Sequence, residues 1–255
     1  MTTHDDRIRE QFTRQAVPFS KASSMADARA IQLLIDMANA SPHHRSLDVA
    51  CGPGLVVLAF ARVVASAVGL DTTAAMLDRA RVLQRRQSSH NVEWVCGDIH
   101  KLPVPDLSFD IVTCRFAFHH FLHAKKALAE MTRATRPGGR IVVCDGVASD
   151  DLRKAAAFNA FERMRDPSTV RFFTAGELRA LFRDADLSIE QEQTYAVSGE
   201  LEGLLRVSFP NPEVVATLRE TMRASITDDA LGLSARADGD RIIFGYPSII
   251  LSAVR

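Results

Sequence analysis

No stretch of this chain is apolar for the roughly eighteen residues that a membrane-spanning helix needs. Its opening residues, Met1-Thr2-Thr3-His4-Asp5-Asp6-Arg7, are too polar for a secretory signal. A cytoplasmic protein is expected. An excess of one charge sign is missing too: 31 basic residues face 31 acidic ones, and no basic tail or stripe stands out. That speaks against the footprint a nucleic-acid binder leaves. Cys51, Cys96, Cys114 and Cys144 stand singly, with no C-x-x-C, so neither a zinc cluster nor a disulfide framework is encoded. Each falls at or near the end of an expected strand, as a small buried apolar residue or as a thiol lining a cleft. Internal repeats and low-complexity segments are also lacking. What remains is a chain of 255 residues, 47% hydrophobic, long enough to bury the core of one α/β domain with additions.

Residues 46–71 organise that chain. A short apolar strand carrying Asp48 ends in the small-residue turn Ala50-Cys51-Gly52-Pro53-Gly54. A helix of about a dozen residues follows, and Val68-Gly69-Leu70-Asp71 closes on an acid. This is half of a nucleotide-binding βαβ unit. Small residues let the backbone approach a ligand, and a helix N-terminus offers unpaired N–H groups. An ionised carboxylate only accepts hydrogen bonds, which suits Asp71 to a pair of ribose hydroxyls. A dinucleotide fingerprint would need G-x-G-x-x-G. Here Val57 stands where the third glycine belongs.

Upstream, residues 5–20 place Ile8, Phe12, Val17 and Phe19 among charges, as an amphipathic helix ending near Pro18. Ser24-Met25-Ala26-Asp27 reads as a capping box opening a second helix to about Ala40, and His43-His44 falls in a loop. Downstream, Thr72 caps a helix to about Arg86. Strands follow at 92–96, 108–114 and 140–144, the last preceded by Arg136-Pro137-Gly138-Gly139 and ending at Asp145. Thr174-Ala175-Gly176-Glu177 caps another helix before a strand at 187–195. Two helices broken at Pro210 and Pro212 fill 199–226, and 241–251 is a final strand whose Pro247 predicts an edge or a bulge. Alternating strands and helices imply a mostly parallel sheet with ligands beyond its C-terminal strand ends.

Four blocks together resemble the UbiE-like (type 11) class I S-adenosylmethionine (SAM) methyltransferases over roughly residues 8–195. They are the D-x-A-x-G-x-G of 48–54, with Ala50 in place of the family's first glycine, and Gly69-Leu70-Asp71 with Met76. The others are Gly97-Asp98-Ile99 with Leu102-Pro103, and Arg136-Pro137-Gly138-Gly139-Arg140. The resemblance implies an α/β, doubly wound, Rossmann-like seven-stranded sheet, mostly parallel with an antiparallel last strand. It implies SAM as cofactor, with Ala50, Gly52 and Gly54 under its methionine part, beside Asp48 and Cys51 of the same block. Asp71, with Thr72 next to it, would take the ribose, and Met76 would lie against ribose or adenine. Gly97, Asp98 and Ile99 would meet the adenine, Arg115 would border the methionine moiety, and Phe19, with Phe12, would close over the site. The chain then divides into a helical arm or lid (1–45) and a SAM-binding core (46–196). A helical insertion (197–236) would cover the acceptor pocket or form a dimer face, and 237–255 would be the last core strand.

Such an enzyme moves a methyl group to a small-molecule acceptor by in-line displacement, and oxygen is favoured over carbon or nitrogen. A hydroxyl acceptor needs a base. His119 and His120 after the fourth strand, with Asp145 after the fifth, are similar to the pattern of sugar and natural-product O-methyltransferases. Adjacent residues point different ways, so one histidine faces the acceptor, and His119 is the choice. His90, His100 and His123 read as loop or surface residues without partners. Phe116-Ala117-Phe118 offers no carboxylate, so no metal is expected, and no [ND]-P-P-[YF] sequence follows the fourth strand. Residues 161–173 are dense in arginine and aromatics: a wall gripping an anionic or aromatic acceptor, or a helix end with solvated arginines. Two other functions stay open, a SAM-fold protein that binds without transferring methyl and a nicotinamide oxidoreductase. A monomer or homodimer is expected, with no nucleic-acid or membrane partner.

Overall fold

The computed structural model describes residues 3–21 and 27–255. Its helices are α1 (His4–Phe19), α2 (Ala28–Met37), α3 (Leu55–Phe60), α4 (Ala74–Gln87), α5 (Ala124–Ala134), α6 (Leu152–Arg165), α7 (Ala175–Asp184), α8 (Leu201–Ser208) and α9 (Val215–Asp228). Its strands are β1 (Arg45–Val49), β2 (Ser66–Asp71), β3 (Val92–Cys96), β4 (Phe109–Arg115), β5 (Thr135–Gly146), β6 (Ser188–Glu200), β7 (Arg236–Asp238) and β8 (Arg241–Val254). The sheet order is β3-β2-β1-β4-β5-β8-β6, with β7 paired to β8. β1 to β5 pair in parallel, and β8 runs antiparallel to β5 and β6. The expected seven strands fall one short, because Gly239 (φ +60°) turns β7 back along β8 as a three-residue arm. The strand order reverses between β1 and β4, which opens a crevice beyond their C-terminal ends.

Local chemistry explains most elements. Leu47, Val112, Ile141 and Ile250 are fully buried, as strands covered on both faces require. On α5, Ala127, Leu128, Met131 and Ala134 repeat at helical spacing and are fully buried. Asp27 caps α2 by accepting from the Arg29 and Ala30 N–H groups; the capping box expected at Ser24 lies outside the described residues. The Thr174–Glu177 capping box is present. α3 is half the expected length, because the Val63 and Val64 N–H groups both fold back onto the Phe60 carbonyl. The Pro137-Gly138-Gly139 turn is a bulge within β5, opposite the register shift between Phe109 and Ile111.

Pro247 sits in β8 where that strand pairs with β6 alone, an edge on its β5 side. The Pro247 carbonyl accepts from the Val147 N–H, just past the end of β5. A residue's N and O face the same side of a strand, so the missing N–H points where no β5 residue remains to receive it.

Two cores cover the faces of the sheet, one around Leu128, Met131 and Phe182, the other around Leu34, Val57 and Phe60. A third, built from Phe158, Phe161, Leu205, Leu218, Met222 and Phe244, joins α6, α8, α9 and the start of β8. That small lobe stands at the same end of the sheet as the crevice. Among the described residues, no helix is long and apolar enough to cross a membrane.

Candidate functional site

Two adjoining cavities occupy that end. The first, about 200 Å³, lies over the tips of β1 to β4. The turn after β1 is left-handed at Ala50 (φ +54°), Gly52 (φ +52°) and Gly54 (φ +80°). At Gly54 a Cβ would come within 2.3 Å of the Trp94 ring, so only glycine fits. Gly54 does not line the cleft; it lets the turn pack on Trp94. Asp71 ties the first two turns together, Oδ2 accepting from the Gly52 N–H (2.8 Å) and Oδ1 from the Thr73 N–H (2.8 Å). Burial pushes its carboxyl up despite those bonds. Burial also pushes Asp48 up to about 7, against the Thr113 hydroxyl that donates to it at 2.6 Å and the nearby Arg115.

Asp48, Ala50, Cys51, Gly52, Asp71, Thr72, Met76, Gly97, Asp98, Ile99, Arg115 and Phe19 all line this cleft. Thr72 does so without capping α4, whose preceding residue is Thr73. His100 does have a partner: Asp98 Oδ1 accepts from its backbone N–H (2.8 Å) and meets its ring Nδ1 (3.0 Å). Partial burial works against ionisation of Asp98, but the two bonds from His100 hold its carboxyl below the ordinary value.

The cleft's donor and acceptor balance tests the cofactor that the resemblance implies. Asp5, Asp48, Asp71 and Asp98 face it against Arg9 and Arg115. An acceptor-rich wall suits a ligand whose ribose hydroxyls, ammonium and adenine amino group all donate and whose sulfur is cationic. It would repel the pyrophosphate of a dinucleotide. SAM fits.

The second cavity, about 330 Å³, lies between α1, the end of α6, α8 and β8. Phe12, Phe19, Phe116 and His120 line both cavities, so they form the shared wall. His119 faces the second cavity only. Its Nδ1 lies 2.7 Å from Asp145 Oδ1, its backbone N–H donates to Oδ2 at 2.9 Å, and its ring stacks on Phe172 at 4.1 Å. A carboxylate only accepts, so His119 Nδ1 is the donor in this bond. His120 Nδ1 lies 3.0 Å from the Ser168 carbonyl and is likewise the donor. Burial, joined by the neighbouring His119, holds the His120 ring well below the usual histidine value. The sequence therefore brought His119, His120 and Asp145 to one place, with the two histidines on different partners.

The far end of this cavity was not foreseen. Glu162 is fully buried; its Oε2 accepts from Arg165 (2.6 and 3.0 Å) and its Oε1 from the Tyr246 hydroxyl (2.5 Å). Arg165 also donates to Ser208 Oγ at 2.8 Å. Arg171 pairs with Glu177. Of the arginines of 161–173, Arg165 is thus committed within the protein, whereas Arg163 and Arg171 are exposed at the surface, as a helix end with solvated arginines would have them. The stretch did stand out in the sequence; its partners Ser208 and Tyr246 lie too far along the chain to be read from it. Of the cysteines, Cys51 lines the first cavity, Cys114 and Cys144 are buried, and Cys96 is exposed.

Residues 47–143 match the family described as methyltransferase domain. The chain is 35% identical over 185 residues to the uncharacterized methyltransferase YcgJ of Bacillus subtilis, covering 70% of this chain and 73% of that one. It is 31% identical over 183 residues to the ubiquinone/menaquinone biosynthesis C-methyltransferase UbiE of Stutzerimonas stutzeri, covering 69% and 71%. The crystal structure of Bacillus subtilis YcgJ superposes with a TM-score of 0.83 at 27% identity, over 89% of this chain and 98% of that one. The [4+2]-cyclase SpnF shares the fold alone, with a TM-score of 0.66 at 23% identity over 89% of this chain and 80% of that one. These likenesses set aside the nicotinamide and non-transferring alternatives, and the seven-strand core with its acceptor-rich cleft agrees with them. The chain belongs to the UbiE-like family of class I SAM-dependent methyltransferases.

Proposed function

We propose that this enzyme methylates a hydroxyl of a small molecule held in the second cavity, with the His119–Asp145 pair as general base. The observation that carries the reading is the 2.7 Å contact between His119 Nδ1 and Asp145 beside the wall the two cavities share. SAM, when bound, supplies an electrophilic methyl on a cationic sulfur. Asp71 would accept from the ribose hydroxyls and Asp98 from the adenine amino group, while Met76 would pack against the nucleoside. With Nδ1 engaged, His119 Nε2 would take the proton from the acceptor hydroxyl, and Asp145 would stabilise the imidazolium. His120, neutral, would serve as wall and hydrogen-bond acceptor at the junction. α1 and α8 would close the cavities, since Gln11 donates to the Ser208 carbonyl and His4 Nε2 meets the His120 carbonyl at 2.8 Å. Shielding from water and in-line alignment of nucleophile and methyl supply most of the acceleration, up to about 7–11 kcal/mol, and the base adds on the order of 10²–10⁴-fold.

The test is release of S-adenosylhomocysteine from SAM across a panel of small phenols and alcohols, then the same assay in single variants. His119→Gln and Asp145→Asn should each lower turnover of the best acceptor by about 10²–10⁴-fold, with the affinity for S-adenosylhomocysteine unchanged. Full turnover in both would remove the base assignment.

A further inference from the structure

The far end of the acceptor cavity has a charge pattern that selects its ligand. Its buried wall carries Glu162, Arg165 and Asp166, two carboxylates against one guanidinium. Glu200 and Arg206 add one charge of each sign at the rim. Arg165 is spent on Glu162 and Ser208, as described above, and both Glu162 oxygens are occupied. Asp166 is different. Its Oδ1 accepts from the Ser168 N–H (2.9 Å) and hydroxyl (2.5 Å). Its Oδ2 has only the Gln15 amide at 3.4 Å and Arg165 at 4.0 Å. A carboxylate whose side chain is 3% exposed, with one oxygen so thinly served, faces the cavity. Burial opposes its ionisation, but the neighbouring Arg165 and the two hydrogen bonds from Ser168 hold its carboxyl below the ordinary value. Six aromatic rings also line the cavity, those of Phe12, Phe19, Phe116, Phe172, Phe244 and Tyr246.

We infer that the acceptor is an uncharged or cationic molecule with an aromatic or other flat apolar body and an N–H or O–H donor seated on Asp166, and that carboxylate-bearing acceptors are excluded. The physical reason is the one that governs any buried site. An anion seated at the buried end, beside Glu162 and Asp166, loses its water and meets only Arg165, already paired with Glu162, since Arg206 stands exposed at the rim. An ammonium or hydroxyl there completes the Asp166 Oδ2 shell.

The inference rests on the proposed acceptor role of this cavity, not on the base, so its test reads binding without turnover. Three probes share a phenol ring and a short arm: tyramine ends in an ammonium, tyrosol in a hydroxyl, 4-hydroxyphenylacetate in a carboxylate. Each is titrated by calorimetry into wild-type protein saturated with S-adenosylhomocysteine. Tyramine should bind at least about tenfold tighter than 4-hydroxyphenylacetate, with tyrosol between them, as a charge-assisted bond to a buried carboxylate implies. In Asp166→Asn the tyramine advantage over tyrosol should collapse, while S-adenosylhomocysteine binds as before. Equal or tighter binding of the carboxylate, or no saturable binding of any probe by the wild type, overturns the inference. So does an intact amine preference in a folded Asp166→Asn. If that variant does not fold, the wild-type order alone decides. Failure here with loss of turnover in His119→Gln leaves the base standing and removes only the acceptor class.

Discussion

The two cavities share a wall and little else. The first cleft is made largely by the ends of consecutive strands and the turns after them, at 48–53, 70–76 and 97–100, with Arg115 at the end of β4, and is covered by α1. Much of its floor is backbone: the left-handed Ala50 and Gly52, and N–H groups held by Asp71. The acceptor cavity is made by side chains drawn from α1, the segment after β4, α6, β6, α8 and β8. Glu162 and Tyr246, which touch, are 84 positions apart. On the proposed assignment, a cleft built largely from local turns takes the shared cofactor, and a cavity built from distant side chains is free to change with the acceptor.

The comparison predicts which region answers to which substitution. The largest effect is expected in the acceptor lobe. Glu162→Ala leaves Arg165 buried without its partner, costing about 3–5 kcal/mol of stability by chemical denaturation. The affinity for S-adenosylhomocysteine should nonetheless hold where the variant is folded; parallel loss of that affinity would mean the two regions are not separable.

The next effect belongs to the cleft and depends on pH. Asp48 titrates at about 7 in the fold because of burial, against an ordinary value near 4 in the unfolded chain. The folded state therefore holds a proton that the unfolded chain has released. That contribution to stability is complete below pH ~4 and is lost as pH rises through about 7. Asp48→Asn keeps an acceptor for the Thr113 hydroxyl and carries no charge. Its Tm should exceed the wild type's at pH 8 by the equivalent of about 2–4 kcal/mol, and the gap should close toward pH 4. A gap independent of pH would contradict the assignment.

The smallest effect concerns Ala50, which holds the left-handed conformation (φ +54°) where the family pattern has glycine. Ala50→Gly relieves about 1–2 kcal/mol of backbone strain and returns part of it as unfolded-state entropy. A net gain of up to about 1 kcal/mol is expected from urea unfolding, with no change at the acceptor end.

The same division explains what the sequence discloses. Twelve of the thirteen residues expected at the cofactor line the cleft; eleven are fixed by strand ends and the short turns after them, and Phe19 comes from α1. Gly54 is the exception, its constraint coming from Trp94 forty positions on. The nearness of the histidine pair to Asp145 follows from adjacent parallel strands, the histidines lying just past β4 and Asp145 at the end of β5. At 161–173 the sequence left open a gripping wall or solvated arginines; Arg163 and Arg171 are exposed, and Arg165 is paired with Glu162, a partner that no local pattern names. Pro247 sits where β5 has ended and β8 pairs with β6 alone, an edge on that side as a proline suggests. The eighth strand is a matter of three residues in a hairpin, too short for any periodicity.

The most direct test is a crystal structure with S-adenosylhomocysteine bound. The account predicts the nucleoside in the 200 Å³ cleft, ribose hydroxyls on Asp71, adenine beside Asp98 and Ile99, and sulfur directed at the wall of Phe12 and His120. A nucleoside seated in the aromatic cavity, or a ribose held away from Asp71, would contradict it.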